Sequence, residues 1–96
     1  MPEEVLFKSE SDQRREDIAA FLRTVAENLE QGSGITLKAG GESLTMNPPA
    51  TPTFEVKAER EGPTDSPGEL SIEFEIEWAE DGANGDGESG GGLEIE

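Results

Sequence analysis

The sequence predicts an α+β fold of two layers. One helix packs on one face of an antiparallel four- to five-stranded sheet, in the order β-α-β-β-β-β. Three observations carry this expectation. In LSIEFEIEW, Leu70, Ile72, Phe74, Ile76 and Trp78 alternate without exception with Ser71, Glu73, Glu75 and Glu77, which is the period of a strand with one apolar face. Ile18, Phe21, Leu22, Val25, Ala26 and Leu29 recur at helical spacing as a single stripe. Finally, ITLKAGGESLTM folds back on itself at Gly40-Gly41, a dipeptide suited to a two-residue hairpin turn.

Taken in chain order, EVLFKSES reads as a short first strand bounded by acids. Ser11 or Asp12 is placed to cap the helix, with Glu16 and Asp17 near its positive N-terminal end and Gly32 as its C-terminal stop. Turning at Gly40-Gly41 sets Leu37 opposite Leu44, Ile35 opposite Met46, Thr36 opposite Thr45 and Lys38 opposite Ser43. Apolar meets apolar and polar meets polar, so turn chemistry and face pattern agree. Pro48, Pro49 and Pro52 then bar the strand from continuing as a central one.

A second hairpin pairs TFEVKAERE with LSIEFEIEW through the loop from Gly62 to Gly68. Turning near residue 65 sets Ala58 against Ile72, Val56 against Phe74 and Phe54 against Ile76. On the outer row it sets Lys57 against Glu73 and Glu55 against Glu75. The domain is expected to span residues 1–79. Residues 80–96, rich in glycine and acids, read as a disordered tail. The expected core is Val5, Phe7, Ile18, Phe21, Leu22, Val25, Leu29, Ile35, Leu37, Leu44, Met46, Phe54, Val56, Leu70, Ile72, Phe74, Ile76 and Trp78.

Charge sets the next bounds. Against 23 acids stand 7 bases, a formal charge of −16 on 96 residues. With the six acids of the tail set aside, 17 acids and 7 bases still leave −10. Such a body repels nucleic acid and anionic membrane, because binding phosphate requires cations. It becomes tolerable to a small core where salt screens it, with a Debye length of about 3 Å at 1 M. A salt-rich cytoplasm is therefore the expected setting. No apolar run approaches the ~20 residues that span a bilayer, and no charged n-region precedes a hydrophobic stretch, so no export signal is read.

The chain has no histidine, cysteine or tyrosine, which removes imidazole, thiolate and phenol chemistry together. Carboxylate pairs do acid-base work only when their environments separate their pKa values, and a row of glutamates on an open strand face provides no such separation. No catalytic residue, cofactor or metal ligand is expected. Hard cations want several convergent oxygens at about 2.4 Å, whereas alternate side chains of a strand run parallel. NGDGE in the tail, aligned with a calcium loop, places Gly82 and Leu93 at ligand positions, and the match fails.

The pieces EVLFKSES, REDIAAFLRTVAENLEQG, ITLKAGGESLTMNPP, FEVKAERE and LSIEFEIEW, from about Glu3 to Ala79, resemble the amphi-Trp domain. That small family is named for an amphipathic strand ending in tryptophan, and the heavy acidity resembles its haloarchaeal members. The resemblance implies no reaction and no catalytic residues. The leading expectation is a noncatalytic protein-interaction module adapted to high salt. Its partner is another protein, or a second copy of the chain, met through an edge strand or the acidic sheet face. The candidate surface is Glu55, Lys57, Glu73, Glu75, Glu77 and Trp78. The runner-up is a small-ligand or cation-binding protein using the helix-sheet mouth near Trp78. An acidic decoy that mimics nucleic acid comes third.

Overall fold

A computed structural model describes residues 2–81 and 93–96. The chain divides into two compact units, Met1–Pro48 and Pro49–Glu96.

In the first unit, residues 2–14 form neither helix nor strand, so the expected first strand is absent. Only Phe7 of its apolar residues is half-buried, while Val5 is 74% and Leu6 60% exposed. With little burial and without a pairing partner, too little offsets the entropy of extending the backbone. Helix α1 follows as Arg15–Gln31. Its N-cap is Arg14, with no side-chain cap bond. Neither Ser11 nor Asp12 reaches the helix end, and the Ser11 hydroxyl instead accepts a hydrogen bond from Gln13 Nε2 at 2.9 Å. Glu16 and Asp17 do occupy the first turn, where the helix dipole favours them. At the other end Gly32 adopts φ +72°. Its N–H donates to the Leu29 carbonyl at 3.2 Å, and the Ser33 N–H to the Asn28 carbonyl at 2.9 Å. This paired closure satisfies two carbonyls that the helix would otherwise leave open.

Strands β1 (Ile35–Ala39) and β2 (Glu42–Met46) form the first hairpin in the register read from the sequence, Ile35 opposite Met46 and Leu37 opposite Leu44. Thr36 and Thr45 seal the polar side with a 2.8 Å hydroxyl contact. Of the two turn glycines only Gly40 has positive φ, +59°. One positive φ at the first central residue is the pattern of a type II′ turn.

The second unit holds β3 (Thr53–Glu61) and β4 (Glu69–Glu77), paired antiparallel with Phe54 opposite Ile76, Val56 opposite Phe74 and Glu55 opposite Glu75. The Phe54 and Phe74 rings stack, centroids 6.4 Å apart and planes within 9°.

The α+β class therefore stands, with one helix and two two-stranded antiparallel sheets among the described residues. The single sheet of four to five strands does not appear. Pro48, Pro49 and Pro52 fall between β2 and β3, and proline cannot donate to a ladder. The expected core list is corrected as well, since no described side chain is fully buried. Phe7, Val25, Ile35, Leu44, Met46, Val56, Ile76 and Trp78 are half-buried; Phe21 is 61% exposed and Leu70 82%. The apolar residues of β3 and β4 lie on one face of a single hairpin, and one layer has no inside.

Candidate functional site

The β3–β4 register sorts the hairpin into two faces. One carries Phe54, Val56, Ala58, Leu70, Ile72, Phe74 and Ile76. The other carries Glu55, Glu59, Glu61, Glu69, Glu73, Glu75 and Glu77, with Lys57 the one cation among them. Alternation places them so, because successive side chains of a strand point to opposite faces. All the acidic-face residues just named are exposed.

Lys57 stands 3.7 Å from Glu59 Oε2 and 4.0 Å from Glu73 Oε1. One ammonium thus serves two carboxylates at the solvent-exposed surface, an arrangement worth about 0–1 kcal/mol. Among the described residues no cation pairs with Glu75. A hydrogen bond with the Glu55 carboxyl opposite it raises the Glu75 pKa above its ordinary 4.5, and the neighbouring Glu77 and Glu73 charges add to the rise. Repulsion along the row is therefore unrelieved at its centre. The chemistry available here is electrostatic attraction of cations or cationic groups. Among the described residues no three acidic side chains converge where a metal ion would sit.

Five of the six sequence-predicted surface residues come together as read: Glu55, Lys57, Glu73, Glu75 and Glu77 share one face. Trp78 does not join them. It follows the last residue of β4, half-buried, and by alternation belongs with the apolar row.

Arg60 escaped the sequence reading. It falls on the apolar row opposite Leu70, yet its guanidinium turns to the loop and donates to the carbonyls of Gly62 at 3.2 Å, Pro63 at 2.8 Å and Ser66 at 2.9 Å. The signal was present in TFEVKAERE, where a cation breaks the apolar alternation just before a turn. An open groove of about 710 Å³, lined by Ala58, Glu59, Arg60, Leu70, Ser71 and Ile72, lies at this loop end of the hairpin, at the opposite end from Trp78.

An acidic α+β chain whose amphipathic strand β4 runs into its single tryptophan defines a narrow class. The Amphi-Trp domain matches residues 1–96, the whole chain, and the protein belongs to that family. The match takes in the tail after Ala79, where the resemblance read from individual residues ends. No curated protein matches the chain, and no solved structure does. No helix among the described residues is long and apolar enough to cross a membrane. The disordered tail expected at residues 80–96 falls largely on 82–92, outside the described residues. Leu93 and Ile95 beyond them are exposed.

Proposed function

We propose that the protein is a noncatalytic protein-interaction module of a salt-rich cytoplasm, engaging its partner through the β3–β4 hairpin. The observation that carries this reading is the pairing, on one hairpin of two nine-residue strands, of a largely exposed apolar row with an exposed row of seven glutamates. An exposed contiguous apolar surface rimmed by polar groups marks interaction sites. The charge of −16 supports the high-salt setting, since screening removes the self-repulsion that opposes compaction.

A closed two-layer form belongs to the same proposal, in which α1 covers the apolar face of one four- to five-stranded sheet at high salt. The apolar stripes left exposed on α1 and on β3–β4 support it. In that form the glutamate face stays outside and remains the partner surface.

Retention from a high-salt lysate tests the function. Repeated capture of the same protein by the immobilised chain, undiminished by nuclease, supports it. Capture of no protein, together with a small molecule retained in native mass spectrometry, overturns it in favour of a ligand-binding role. Release by added DNA of whatever is captured points to a decoy of nucleic acid.

A further inference from the structure

We propose that the outer edge of β4 receives an extended cationic segment of another protein, a strand in which Lys or Arg alternates with apolar residues. The inference rests on the interaction reading above and names the partner's chemistry.

Three features on one strand support it. First, β4 is hydrogen-bonded to β3 alone among the described residues, so over Glu69–Glu77 every second residue turns its N–H and C=O away from β3. An open ladder edge is a template for strand addition, which joins main chain to main chain and reads alternate side chains. Second, β4 contains no cation, and its outward row is Glu69, Ser71, Glu73, Glu75 and Glu77. Across the hairpin only Lys57 answers that row, and it is shared with Glu59. A strand added at the ordinary spacing of about 4.8 Å would place its own alternate side chains beside Glu73, Glu75 and Glu77. Third, the reverse face of β4 presents Leu70, Ile72, Phe74 and Ile76, and Leu70 and Ile72 line the 710 Å³ groove. The remaining side chains of an added strand meet apolar surface there. The complement of a glutamate/apolar strand is a cation/apolar strand.

A second copy of this chain does not supply it. Its seven bases are Lys8, Arg14, Arg15, Arg23, Lys38, Lys57 and Arg60, and no two of them alternate with apolar residues. A second β4 would set glutamate against glutamate, which is destabilising.

The test uses the full chain and a strand-length peptide of alternating lysine and valine, followed by amide NMR at about 0.15 M and about 1 M KCl, with circular dichroism confirming the fold in both. A block peptide of the same composition and an alternating peptide N-methylated along one edge serve as controls. The proposal predicts shifts and exchange protection centred on Glu69–Glu77, and binding about tenfold weaker for each control. The triple variant Glu73→Gln/Glu75→Gln/Glu77→Gln should weaken the alternating peptide by about tenfold at the lower salt, in keeping with three exposed charge pairs. Equal binding of the block peptide reduces the effect to diffuse attraction and overturns the proposal. Shifts centred on Thr53–Glu61, or no binding at either salt, overturn it too. If no peptide binds while a lysate protein is still captured by the wild type and lost by the triple variant, the interaction reading stands and the cationic strand alone falls.

Discussion

Glu55 and Glu75 face each other directly across the β3–β4 ladder, like charge against like charge, while Phe54 and Phe74 stack on the reverse side of the same strands. The two faces make opposite demands on stability, and the first three predictions follow from that contrast.

Glu75→Gln removes one charge of the opposed pair and leaves no cavity, since the side chain is exposed. Thermal melts at low salt should show stability unchanged or increased, and the difference should shrink in molar KCl as screening does the same work. A clear drop in melting temperature would place Glu75 inside a packed layer.

The same pair fixes the sign of a pH effect. In the folded hairpin the Glu75 carboxyl titrates above its ordinary 4.5, chiefly through its hydrogen bond with Glu55. A raised folded-state pKa contributes stability that is fully present below the unfolded value and lost as pH rises through the folded value. Cooling the repulsion by acid should therefore stabilise the hairpin as pH falls toward 4.5, and Glu75→Gln should abolish that dependence. Melts across this range in both proteins check it, and a dependence of the opposite sign would refute the pairing.

Phe74→Ala tests the other face. Phe74 is 50% exposed, so truncation removes only part of a phenylalanine's burial, and the loss should be about 1–2 kcal/mol. A full core phenylalanine would cost about 3–5 kcal/mol. Denaturant titration separates the two, and the larger figure appearing only in molar salt is the signature of the closed form.

The loop makes a sharper demand. A Cβ at Gly68 would run into the Glu61 carbonyl oxygen, and Gly62 beside it holds φ +136°. Gly68→Ala must therefore shift backbone, where Gly41→Ala meets nothing within 4 Å. The β3–β4 cross-strand NOEs should weaken in Gly68→Ala, while the β1–β2 NOEs survive Gly41→Ala. Equal tolerance of both changes would contradict the loop geometry.

Alternation and turn chemistry are local, and they were legible in the sequence. The first register follows from Gly40-Gly41 and the second from a turn near residue 65; the strict period of Leu70 to Trp78 assigns the faces, and five of the six surface residues follow from the faces. Assembly beyond the hairpins was not legible. EVLFKSES has the composition of a strand, but a strand exists only when something pairs with it, and composition names no neighbour. The cap at Ser11 or Asp12 failed for a related reason: the helix begins at Arg15, and a capping side chain acts only at the residue adjoining the first turn. Arg60 was hidden because its three loop carbonyls are brought together by the fold.

The most direct measurement of the account compares capture, from a lysate brought to about 0.15 M KCl where screening is weaker, by the wild-type chain and by Glu73→Gln/Glu75→Gln/Glu77→Gln, with circular dichroism confirming that both are folded. If the glutamate face of β4 is the partner surface, the protein held by the wild type is lost or strongly depleted on the variant while the spectra coincide. Equal capture by two folded proteins would contradict the account and move the partner surface away from β4.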